Sequence, residues 1–139
     1  MKRKMILASH GRMAEGIADS MGMVVGTVDD LICLGLMPGH EPGEITREVE
    51  EMIQEEPKTQ FLLLTDIRGG SVSNSLTCLA CHGNVKMING MNLALAIGLY
   101  LTDGVLSDEE IESVIAEARE GLHLVRDLRD HQPEEEEII

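Results

Sequence analysis

Four short apolar runs limit what this chain can fold into. Met5–Ser9, Leu31–Met37, Phe61–Thr65 and Val85–Ile88 are too short for helices, and they are continuous rather than alternating. That is the pattern of strands covered on both faces of a parallel sheet. Stretches with apolar residues at helical spacing lie between them. Arg12–Val25 carries Met13, Ile17, Met21, Val24 and Val25 and ends at Gly26. Glu44–Glu56 aligns Ile45, Val49, Met52 and Ile53 and stops at Pro57. A helix over Val72–His82 is expected to end at Gly83, and Leu93–Leu101 reads as a buried helix that is apolar nearly all round. Ser107-Asp108-Glu109-Glu110 is a capping box that opens a last helix. The order implies an α/β three-layer sandwich with a mainly parallel sheet, strand order 2-1-3-4 and right-handed crossovers. After Gly121, Leu122-His123-Leu124-Val125 fits either a continued helix or a short terminal strand.

The 139 residues suit one domain, expected over 1–129, with 130–139 an acidic, disordered tail containing Glu134–Glu137. Aromatic residues make up 1% of the chain, so the core is aliphatic and stacking platforms for bases or sugars are nearly absent. A formal net charge of −14 argues against nucleic acid and against anionic membranes as partners. Lys2, Arg3 and Lys4 precede too few apolar residues for a signal peptide, and no run is long enough to span a bilayer. The expectation is a soluble, cytoplasmic protein with its three cysteines reduced.

Two turns carry the chemistry. His10 follows the first strand and Asp66 the third, which the 2-1-3-4 order makes neighbours, at the carboxyl edge where open α/β sheets bind ligands. A histidine that accepts a phosphoryl group needs one ring nitrogen unprotonated and the other protonated and held by an acceptor. Asp66 is placed to be that acceptor. Gly69-Gly70-Ser71 offers close backbone approach, a hydroxyl and the start of a helix, where anions are favoured. Gly11 permits a sharp turn beside the ring, and Ser9 could add a second hydroxyl. Each feature alone is ordinary, since strand-end histidines are usually structural and Gly-Gly-Ser is common loop chemistry. It is their combination on adjacent turns that points to phosphoryl transfer. Arg68 reads equally as a contact for phosphate or an acidic partner and as a solvated loop residue, while His40, His123 and His131 read as surface residues.

Other signatures weigh less. Cys78-Leu79-Ala80-Cys81-His82 matches a haem-attachment and redox spacing, but no export signal accompanies it and it falls near a helix end. Two half-buried thiols on a helix is the preferred reading. There is no phosphate-binding Gly-x-x-x-x-Gly-Lys loop, no further metal-site spacing, and no cofactor is expected. A magnesium-dependent aspartyl acceptor would want acids at the end of the first strand, where Ala8-Ser9-His10 stand instead.

Ser9-His10-Gly11, Met37-Pro38-Gly39, Asp66-x-x-Gly69-Gly70-Ser71 and Asn89-Gly90-Met91-Asn92, each after a strand, resemble the mannose-family EIIA domain of the bacterial phosphoenolpyruvate-dependent sugar phosphotransferase system. The resemblance runs from about Met5 to Leu128. It implies that His10 takes a phosphoryl group from the phosphocarrier HPr and passes it to a IIB component for sugar uptake. It also implies that Asp66 orients the histidine, that Ser71 contacts phosphate, and that no metal takes part. A homodimer is implied in which Leu122–Val125 is an antiparallel strand paired with the partner's sheet, and membrane IIC and IID components are met only indirectly. Arg68 stands where an aromatic residue is expected. The alternatives are a regulatory module of this fold phosphorylated as a signal, and a dihydroxyacetone-kinase phosphodonor domain, which typically has a Ser-His-Ser turn and lacks the Gly-Gly-Ser.

Overall fold

A computed structural model of the chain describes residues 2–130. Four strands, β1 (Arg3–His10), β2 (Leu31–Leu36), β3 (Gln60–Thr65) and β4 (Val85–Asn89), form one sheet of order β2-β1-β3-β4. All three pairings are parallel, with Ala8 opposite Thr65 and Thr65 opposite Asn89. Successive side chains point to opposite faces of a strand, and the core divides accordingly. Met5, Leu7, Leu62 and Leu64 pack under α1 (Met13–Val25), α4 (Leu93–Leu101) and α5 (Asp108–Glu120). Ile6, Ala8, Phe61 and Leu63 pack under α2 (Pro42–Glu55) and α3 (Ser71–Leu76). Every residue of β3 is buried, as expected of a central parallel strand. No helix among the described residues is long and apolar enough to cross a membrane.

The basic start is used structurally. The Arg3 guanidinium donates to the carbonyls of Tyr100, Thr102 and Gly104, and Lys4 Nζ lies 2.7 Å from Glu56 Oε2. The capping box of α5 is present in both directions between Ser107 and Glu110, and Gly26 ends α1 at a φ of 82°.

Three expectations are corrected. The helix after Gly70 is α-helical only to Leu76 and then tightens into a 3-10 turn over Thr77–Cys81. It therefore stops short of His82, and Gly83 caps nothing. Cys78 and Cys81 on that turn are exposed rather than half-buried. Helix α4 buries one side, through Leu95, Ala96 and Leu99, while Leu101 is exposed. Leu122–Val125 pairs with none of the four strands of its own chain. Of the expected tail, residues 131–139, His131 included, lie outside the described residues.

Candidate functional site: a histidine between a carboxylate and a hydroxyl

The connection leaving β1 runs through α1 to β2 on one side, whereas the connection leaving its other neighbour, β3, runs through α3 to β4 on the opposite side. His10 ends β1 at this switch point, where diverging loops leave a crevice in open α/β sheets. Its neighbour Ser9 is fully buried, and the Ser9 hydroxyl accepts a hydrogen bond from Ala14 N–H at 2.9 Å. Ser9 thus anchors the start of α1 and is not free to meet a ligand, contrary to expectation. The side chain of His10 remains 48% exposed, so the ring is open to a large reactant.

Asp66 follows directly on β3 and reaches across to His10. Its Oδ2 accepts from the His10 main-chain N–H at 2.7 Å and lies 2.7 Å from Nδ1, while Oδ1 accepts from Ile67 N–H at 2.9 Å. Burial pushes the Asp66 carboxyl up. The hydrogen bonds from His10 and Ile67, with the histidine's charge, outweigh it and hold the group below its ordinary value. A carboxylate only accepts, so the proton of the neutral ring sits on Nδ1 and the lone pair on Nε2. Ser71 Oγ lies 3.0 Å from Nε2. One ring edge is fixed and charge-compensated, and the other presents a nucleophilic nitrogen beside a hydroxyl.

Close backbone approach explains two glycines. A Cβ at Gly70 would stand 2.7 Å from Ile67 Cγ2 and 3.4 Å from His10 Cε1. A side chain there would force Ile67 to shift and would touch the ring. Gly35 in β2 was not singled out by sequence reading, yet a Cβ there would meet the Gly11 carbonyl oxygen at 2.2 Å. The available signal was a glycine inside an apolar strand, which marks such approaches. Gly11 and Gly69 turn at positive φ, 54° and 81°. The N–H groups of Gly11 and Gly70 are occupied by the carbonyls of Leu36 and Ile67. Those two glycines therefore shape the site and do not lend their amides to an anion. The leading N–H groups of α3, beginning at Ser71, precede the first amide of the helix bonded back to the chain, Asn74 N–H to the Gly70 carbonyl. Arg68 and Ile67 are exposed on the loop between Asp66 and Ser71. His40 pairs with Glu44 at 2.8 Å on the surface, and His123 is exposed.

The profile of the PTS system fructose IIA component family matches residues 4–118. The chain belongs to this family. IIA relatives agree with the assignment. The sorbose-specific EIIA component of Klebsiella pneumoniae is 27% identical over 107 residues, covering 76% of this chain and 78% of that protein. The PTS IIA protein associated with the fucose utilization operon of Streptococcus pneumoniae is 28% identical, with a TM-score of 0.77 over 89% of this chain and 93% of that one. The mannose/sorbose-specific IIA subunit of Enterococcus faecalis is 25% identical, with a TM-score of 0.79 over 96% and 98%. This IIA chain therefore carries the three-layer fold of its family as well as its sequence profile, and its role lies in a sugar phosphotransferase system.

Proposed function

We propose that this IIA component is a phosphohistidine carrier, accepting a phosphoryl group from HPr on His10 and passing it to a histidine of a IIB component. The observation that carries the reading is the single ring held at both nitrogens, Nδ1 by Asp66 at 2.7 Å and Nε2 beside Ser71 at 3.0 Å. Nε2 attacks phosphorus as the N–P bond to the donor histidine breaks. The ring then carries a positive charge, which the depressed Asp66 carboxylate stabilises across Nδ1–H. The incoming phosphoryl oxygens replace Nε2 as the partner of the Ser71 hydroxyl and face the leading amides of α3. Gly11, Gly69 and Gly70 let the chain pass close to the ring. The reverse step delivers the group to IIB, so the balance of transfer is set by the partners and the IIA chain stores the phosphoryl group between them.

The same reading includes a homodimer. Leu122, Leu124, Val125 and Leu128 are 66–91% exposed, an apolar run that a single copy leaves uncovered. β4 is an edge strand, and beside it runs a groove of about 380 Å³ lined by Met87, Ile88, Ile115 and Arg119. A segment of alternating apolar residues from a second copy would cover that edge.

The test is transfer from phosphoenolpyruvate through enzyme I and HPr. Wild type takes up an acid-labile, base-stable phosphate and His10→Ala takes up none; equal labelling of the two overturns the reading.

A further inference from the structure

We infer that Asn89 is a positioning residue for His10, acting through both ends of the loop that carries Asp66. This rests on the phosphocarrier reading. Asn89 ends β4, and its single Oδ1 accepts from Thr65 Oγ1 at 2.6 Å and from Ser73 Oγ at 2.8 Å. Thr65 is the last residue of β3 and immediately precedes Asp66. Ser73 lies two residues beyond Ser71. The loop Asp66-Ile67-Arg68-Gly69-Gly70 leaves from the first donor and returns to the second. Both donors are buried, at 0% and 2% exposure, so neither hydroxyl can turn to water if Asn89 is lost. The Thr65 carbonyl is held as well, accepting from Gly90 and Met91 N–H at 3.1 and 2.9 Å.

The consequence reaches the ring. Asp66 holds Nδ1 and Ser71 stands at Nε2, on opposite sides of one imidazole. Their separation must match the width of that ring. One amide oxygen bonded to both flanks of the loop fixes that separation from below, without touching His10 or a phosphoryl group. Asn89 itself touches neither Asp66 nor Ser71 among the described contacts.

The experiment uses the full chain as wild type, Asn89→Ala and Asn89→Asp, each labelled with 15N at histidine. Exchange of the His10 Nδ1–H with water is followed by NMR, and transfer from phosphorylated HPr is followed with kcat and KM separated. Loss of the shared acceptor in Asn89→Ala is expected to speed Nδ1–H exchange and to lower kcat about 10–100-fold, with KM nearly unchanged, up to the size of effect that a misplacement of about 1 Å produces. Asn89→Asp keeps an oxygen that accepts both hydroxyls and is expected to recover slow exchange and most of kcat. If Asn89→Ala does not fold, Ser73→Ala removes one of the two tethers and is expected to show the same changes in smaller measure. An Asn89→Ala protein that melts earlier but keeps wild-type exchange and kcat below its transition overturns the inference. Wild type that takes no phosphoryl group from HPr contradicts the phosphocarrier reading instead. The exchange rates of the variants then still decide whether Asn89 positions the ring.

Discussion

At His10 the two ring nitrogens have different surroundings, and the difference lies in one carboxylate. Asp66 gathers three donors and is held below its ordinary value despite burial. A carboxyl whose folded pKa is depressed stabilises the fold above its unfolded pKa, and that contribution disappears as pH falls through the folded value. Stability is therefore expected to decline on the acid side below the ordinary carboxyl range, and Asp66→Asn is expected to flatten that limb in urea unfolding followed against pH. At neutral pH, Asp66→Ala is expected to slow phosphoryl transfer by about 10²-fold or more while leaving a cooperative unfolding transition, because it removes both the tautomer lock and the compensating charge. Unchanged kinetics would remove Asp66 from the site. That His10, Asp66 and Ser71 come together was legible in the sequence, because strand ends can be read from apolar runs. Ser9 was misread because nothing in its local sequence distinguishes a hydroxyl facing a ligand from one capping the helix that follows.

At the scale of elements, β2 and β1 meet the site through a glycine contact. Gly35→Ala forces a Cβ onto the Gly11 carbonyl at 2.2 Å and is expected to cost about 1–3 kcal/mol and to displace the His10 turn. Denaturant unfolding measures the cost. By contrast, Ser107→Ala breaks the capping box of α5, far from His10, and is expected to cost about 1 kcal/mol with transfer unchanged. Apolar periodicity located all four strands and the long helices, since burial on a sheet face sets their spacing. It missed the change from α-helix to 3-10 turn at Thr77, because both geometries place Leu76 and Leu79 in the core and differ by little in what they bury. Leu76 and Leu79 take the buried side of this stretch, and Cys78 and Cys81, also three apart, share an exposed one.

At the scale of the whole molecule, the sheet brings two turns separated by 56 residues to hydrogen-bond distance, with β1 and β3 in register at Ala8 and Thr65. That adjacency was readable as a topology because the alternating strand–helix order admits few arrangements. The Asn89 network was not: Asn89 stood out only as part of the Asn89-Gly90-Met91-Asn92 turn, and nothing in the sequence links it to Thr65 at the end of β3 or Ser73 in the first turn of α3 until the register places them together. Assembly belongs to this scale too. The exposed run Leu122–Leu128 and the open edge of β4 predict a dimer. Truncation before Leu122 is expected to shift sedimentation from dimer to monomer, and an unchanged sedimentation coefficient would count against strand exchange.

The central claim is that His10 carries a phosphoryl group on Nε2, the nitrogen opposite Asp66. NMR of the 15N-histidine-labelled protein, phosphorylated through enzyme I and HPr, measures this directly. The geometry predicts one phosphoryl group, coupled to His10 Nε2, with Nδ1 still protonated against Asp66. A phosphoryl group on Nδ1, or on any residue other than His10, would contradict it.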